Sequence, residues 1–152
     1  MEYTLRHCAD AALCIELGDH LDRALSARVI ALARSLADAA LPGVVETVPG
    51  YASLTVHYDP LVISAQALAD ALRALDVAAA EAGAGRRFRI PVCYEGDYAP
   101  DLDAVAQAAG ITAEDVVAAH TAADYHCYLL GFVPGFAYLG DLHASLVLPR
   151  RD

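Results

Sequence analysis

A chain of 152 residues that is 57% hydrophobic has room for one ordinary domain or two small ones, with enough apolar material for a core. Its formal net charge is -10 and all ten basic residues are arginines, of which only Arg86, Arg87, Arg89 and the Arg150-Arg151 pair cluster; nucleic acid is therefore not an expected partner, and Schiff bases, lysine phosphate clamps and an intact P-loop are excluded. No run of about 18 apolar residues is free of charge, so no membrane span is expected, and the four cysteines, with no C-x-x-C spacing and no leader before them, read as reduced thiols of a cytoplasmic protein.

In chain order, Leu13, Ile15 and Leu17 alternate with Cys14 and Glu16, the period of a half-buried strand that ends at Gly18. From Asp22 to about Ala40, Leu25, Val29, Leu32 and Leu36 recur at helical spacing, and Pro42-Gly43 stops the helix. The runs VVETV and SLTVHY follow as two strands joined by Pro49, Gly50, Tyr51 and Ala52, with Leu54, Val56 and Tyr58 on one face and His57 on the other. Ser64 caps a second helix striped by Leu68, Leu72 and Leu75. After the flexible joint EAGAG, RFRIPV reads as a fourth strand or as a link into the next module. The order β-α-β-β-α-β over residues 11 to 92 predicts a ferredoxin-like sandwich.

The second module reads differently. A short helix starts at Pro100-Asp101, with Asp101 as its cap, and ends at Gly110; Thr112 and Asp115 form a capping box for another. YHCYLLGF is strand-like, and Cys14 and Cys127 are expected as small buried thiols in their strands. So few elements close no barrel, so the module is expected to be cut short at Asp152 or completed by other material.

The stretch from Tyr128 to Leu142 concentrates three glycines, one proline and four aromatics around a single charge, Asp141. Pro134-Gly135 suits a type II turn, which leaves backbone N–H groups to face an anion or a carbonyl oxygen, walled by Phe132, Phe136 and Tyr138; a hydrophobic turn packed under its own domain is the competing reading. His120, at a helix end where the dipole favours a cation, reads as a polar group in a cleft. His126, Cys127 and Cys93 lack the spacing of a zinc site, Glu95, Asp97, Asp101 and Asp103 lack a Ca²⁺-loop pattern, and no G-x-S-x-G elbow supports a serine nucleophile.

Four segments together, VPGYASLTVHYDP, IPVCYEGDYAPDLDAVA, TAEDVVAAH and YLLGFVPGFAYLGDL with LPRR, resemble the KipI/PxpB family, whose members are also known as the B component of 5-oxoprolinase or as allophanate hydrolase subunit 1. The resemblance runs from about residue 11 to the end of the chain. It implies an α+β chain with a ferredoxin-like domain at residues 1–85, followed at residues 86–152 by the start of a cyclophilin-like, carboxyltransferase-type β-barrel. It further implies a KipA/PxpC-type sister subunit and a third, lactam-opening subunit that together convert 5-oxoproline to glutamate using ATP, held mainly by or with the partners. One family member instead inhibits a sensor histidine kinase, which makes such a kinase the alternative partner. Gly131, Phe132, Pro134, Gly135, Phe136, Tyr138 and Leu139 match the family's G-F-x-P-G-F-x-Y-L signature as substrate-site candidates, and His120 and Arg150 are the catalytic candidates. Glu95 departs from the family's expected glycine, Ala137 stands where proline is frequent, and the chain stops just past the P-R-R element, beyond which relatives continue.

Overall fold

Alternation of apolar and polar residues in two strands, and a leucine stripe on two helices, are enough to build the first core. The structure is a computed structural model that describes residues 3–75 and 85–149. Strands β1 (Thr4–His7), β2 (Ala12–Glu16), β3 (Val44–Pro49) and β4 (Ser53–Tyr58) form one antiparallel sheet in the order β1-β2-β4-β3. Helices α1 (Arg23–Ala39) and α2 (Ala65–Ala74) bury their stripes against one face of it. Leu13 and Ile15 from β2, Leu54, Val56 and Tyr58 from β4, Leu25, Val29, Leu32 and Leu36 from α1, and Leu68 and Leu72 from α2 make a single cluster. Each fully buried Leu, Ile or Val there contributes about 1.5–3 kcal/mol relative to an exposed position. The other sheet face carries Cys14, Glu16, Thr55 and His57, with Cys14 opposite Thr55 in the register and His57 exposed.

Both helix starts are set by side-chain caps. Asp22 accepts the Leu25 N–H at 2.8 Å and Ser64 accepts the Ala67 N–H at 3.1 Å, each satisfying an amide that the helix itself leaves unpaired. Asp22→Ala is expected to cost about 1 kcal/mol in urea unfolding, with the circular dichroism of the native state unchanged. A loss within error of zero would show that water replaces the cap at no cost.

The expected β-α-β-β-α-β order needs correction. Residues 87–92 form no strand, and Phe88, Ile90 and Val92 are exposed. The sheet's fourth strand is instead β1, so the order is β-β-α-β-β-α. Its pairing with β2, from Thr4 opposite Glu16 to His7 opposite Leu13, occupies the sheet edge that a strand following α2 would have extended. In RFRIPV, Pro91 also removes a donor that a ladder requires. The signal for β1 was weak because an edge strand this short, with Arg6 and His7 exposed, carries little alternation.

By its contacts the chain divides into two units, Met1–Gly85 with Tyr128–Tyr138, and Arg86–Cys127 with Leu139–Asp152. In the second unit α3 (Leu102–Ala109) and α4 (Ala113–Ala122) enclose a small core of Ala106, Val116 and Leu146, the last from the 3-10 turn Ala144–Leu146. Gly110 ends α3 at φ +67°, and Thr112 with Asp115 forms a reciprocal capping box on α4. Asp101 sits at the N-cap position of α3, but its side chain makes no capping hydrogen bond, contrary to expectation: its ψ of -1° is already helical, whereas a capping side chain needs an extended residue. Strands β5 (His126–Leu130) and β6 (Ala137–Gly140) form a two-stranded sheet. Only Tyr128 of β5 is buried, so Cys127, its neighbour in the two-residue period, is exposed rather than buried as expected; Cys14 is half-buried. Among the described residues no helix is long and apolar enough to cross a membrane.

Candidate functional site

The connection between β5 and β6 is built by its own backbone. The Gly131 N–H donates to the Phe136 carbonyl at 3.1 Å and closes the loop. Inside it, the Phe136 N–H donates to the Val133 carbonyl at 3.0 Å across Pro134-Gly135, with Gly135 at φ +80°, the arrangement of a type II turn. The Val133 N–H donates to the Gly131 carbonyl at 2.9 Å, which makes Phe132, at φ +69°, the centre of a γ-turn. A bulky residue with positive φ costs on the order of 1–3 kcal/mol and persists only where its surroundings hold it. These bonds consume the amides of Gly131, Val133 and Phe136, and Pro134 has none; the amides of Phe132 and Gly135 take no part in them.

The loop is not packed beneath its own unit. Every residue from Phe132 to Phe136 is exposed, Phe132 to 86%. What braces it is a chain of aromatic rings. Phe132 meets Phe136 at 5.8 Å between centroids, Phe136 meets Tyr138 at 5.2 Å, Tyr138 meets Tyr51 edge-on at 6.1 Å, and Tyr51 meets Tyr128 at 5.9 Å. Tilted and edge-to-face pairs at such distances add about 0.5–1.5 kcal/mol each beyond the area they cover. Tyr51 comes from the turn between β3 and β4, so the hairpin is tied to the first unit's sheet through one ring. The result is an exposed, aromatic-walled platform with a strained backbone at its tip.

In the second unit His120 lies in the last turn of α4, half-buried. Its Nδ1 is hydrogen-bonded to the Tyr94 hydroxyl, and the Tyr125 hydroxyl donates to the His120 backbone carbonyl at 3.0 Å. The Tyr94 ring stands edge-on to the imidazole at 5.8 Å, and the Tyr125 ring lies at 5.3 Å. Burial pushes the Tyr125 phenol up from its ordinary pKa, with Tyr94 adding to the shift.

The remaining candidates fall outside these two clusters. Leu139 is half-exposed in the second unit. Arg150 lies outside the described residues, as do residues 81–84 of the EAGAG joint. Cys93 is exposed, and among the described residues no group of three His, Cys, Asp or Glu side chains is placed to hold a metal ion. Three tyrosines that no motif singled out, Tyr51, Tyr94 and Tyr125, prove to be the braces of the candidate residues. Tyr51 and Tyr94 do lie within two of the segments that carry the family resemblance, VPGYASLTVHYDP and IPVCYEGDYAPDLDAVA, whereas the signal for Tyr125 was only its place just past a helix end.

Residues 3–152 match the family model of the carboxyltransferase domain, subdomains C and D. The chain is 32% identical to the B component of 5-oxoprolinase from Bacillus subtilis over all of its own length and 68% of that protein, and 36% identical to the same component from Escherichia coli O157:H7 over 93% of its length and 65% of that one. It thus spans about two thirds of these relatives. Among solved structures, TTHA0988 is 34% identical with a TM-score of 0.77, covering 97% of this chain and 28% of that protein. Kluyveromyces lactis urea carboxylase, at 19% identity and a TM-score of 0.60 over 85% of this chain and 14% of that one, shares the fold.

Proposed function

The chain belongs to the family of the carboxyltransferase domain, subdomains C and D, and from that membership we propose that it serves as the B-type component of an ATP-dependent 5-oxoprolinase. In this reading it acts with a KipA/PxpC-type sister subunit and a lactam-opening subunit to convert 5-oxoproline to glutamate in the cytoplasm, where ATP is available. The observation that carries it is the likeness, over nearly the whole chain, to two bacterial proteins named as B components of 5-oxoprolinase. Nothing in these relatives' names speaks for a histidine kinase, and the inhibitor reading is set aside. The first unit is taken as a variant of the ferredoxin-like sandwich, with β1 at the edge position, and residues 86–152 as the start of a cyclophilin-like barrel.

The chemistry assigned to this chain is binding and polarisation. The aromatic platform of Phe132, Phe136 and Tyr138 offers an apolar seat for a small amide or lactam ring. The Phe132 and Gly135 amides, left out of the loop's internal bonding, are suited to a carbonyl or carboxylate oxygen. His120, in the second unit, is a separate candidate for a ring N–H donor. With no lysine anywhere in residues 1–152, the phosphates of ATP are assigned to partner subunits.

The test is to express the protein from its complete gene together with the candidate sister and lactam-opening subunits of the same genome, and to assay glutamate release from 5-oxoproline. Release is expected only when all three components and ATP are present, and residues 1–152 alone should give no turnover above a heat-killed control. Equal activity of the partners without this protein, or turnover by this chain alone, would refute the assignment.

A further inference from the structure

We propose that Tyr94 is a positioning residue that holds His120 in the Nε2–H tautomer, so that the imidazole presents a neutral N–H donor to an oxygen of the substrate. The inference deepens the function proposed above and rests on it for the identity of the acceptor, but the tautomer itself is a property of this chain. The Tyr94 hydroxyl is bonded to Nδ1 of His120. A phenol is a good donor and a poor acceptor, because its oxygen lone pair is drawn into the ring, whereas the unprotonated nitrogen of a neutral imidazole is a strong acceptor. The favoured arrangement is therefore O–H donating to Nδ1, which leaves the proton of the neutral ring on Nε2.

Two further contacts remove the alternatives. The Tyr125 hydroxyl is committed to the His120 backbone carbonyl, which fixes the end of α4 from which the side chain projects. The rings of Tyr94 and Tyr125 both flank the imidazole, so a ring flip that exchanged Nδ1 and Nε2 would have to break the Tyr94 bond and displace both rings. Nε2 is then the ring nitrogen left to act on a ligand. An Nε2–H that donates without transferring its proton suits an oxygen that gains negative charge, such as the carbonyl oxygen of an amide or lactam under attack.

The experiment uses the chain labelled with ¹⁵N-histidine and two-bond ¹H–¹⁵N correlation spectra at a pH where the imidazole is neutral. His120 is expected to show a single Nε2–H pattern with an unprotonated Nδ1, and Tyr94→Phe, which keeps the ring and removes the hydroxyl, is expected to move the Nδ1 resonance and return a mixture of tautomers. An Nδ1–H pattern in the parent chain, or an Nδ1 resonance unmoved in Tyr94→Phe, would overturn the proposal. Should Tyr94→Phe fail to fold, the parent chain grown on 3-fluorotyrosine decides: a more acidic phenol must shift Nδ1, and no shift sinks the idea. Because these readouts need no substrate, they separate from the functional reading. Normal turnover by His120→Ala in the reconstituted complex, where no N–H donor is left at that position, would overturn the donation to substrate, while the tautomer is decided by the spectra alone.

Discussion

Leu54→Ala is expected to lower the free energy of unfolding by about 3 kcal/mol or more. Leu54 has no exposed surface and lies on β4, the strand between β2 and β3, opposite Ile15 on one side and Pro49 on the other. Removing its terminal carbons forfeits their transfer free energy and leaves a cavity between the sheet and the helices. Collapse is difficult there, because Val29, Leu36, Leu68 and Val56 are almost fully buried in the same cluster and already packed. Thr55→Ala, one residue along and on the opposite face, is the control, with an expected change of about 0.5 kcal/mol or less. Urea melts of the two variants check the pair, and equal losses would mean that the sheet's two faces have been misassigned.

Gly135→Ala is expected to reduce turnover of the reconstituted complex about tenfold or more while costing roughly 1 kcal/mol of stability. A Cβ at Gly135 meets nothing within 4 Å, so the whole effect arises from φ +80°, a conformation that alanine resists. The turn can relax only by rotating its peptide planes, which redirects the Gly135 amide; a loss of about 1.4 kcal/mol in transition-state binding already corresponds to tenfold in rate. Gly131→Ala is the matched control, since its Cβ would sit at ordinary contact distances of 3.5 Å from Leu129 and 3.7 Å from Tyr138, with no positive φ to oppose it. Phe136→Leu keeps apolar bulk but removes the ring that links Phe132 to Tyr138, and a smaller fall is expected. Glutamate release, thermal melting and retention of the sister subunit in a pull-down are measured for each. Normal turnover in both Gly135→Ala and Phe136→Leu, with unchanged melting and partner binding, would reduce the loop to a structural element.

Much of the first core was legible because its determinants are local. The alternation of Leu13, Ile15 and Leu17, the stripe from Leu25 to Leu36, the stripe from Leu68 to Leu75 and the face of Leu54, Val56 and Tyr58 each specify an element and its buried side without reference to any other part of the chain. The same holds for the caps at Ser64 and Thr112 and for the turn at Pro134-Gly135, where residue type alone sets the backbone. Asp101 and Cys127 were misread for the opposite reason: position in a motif does not say whether a side chain turns toward the amides it might cap, or toward the core.

Tertiary structure decided matters of competition and partnership. Two segments were available for the fourth strand, and β1 holds the edge because its pairing with β2 is short-range and costs little loop entropy. Phe132 takes a positive φ that no propensity would assign it, imposed by the closing bond from Gly131 to Phe136 and by the rings beneath. His120 was visible as a residue, but the tyrosines that fix its ring come from positions 26 residues before it and 5 after it, and such pairing appears only once the chain has brought them together. Local periodicity wrote the elements and the turn chemistry; the assignment of edge, strain and hydrogen-bond partner depended on contacts between segments, whose energies no single stretch of the chain contains.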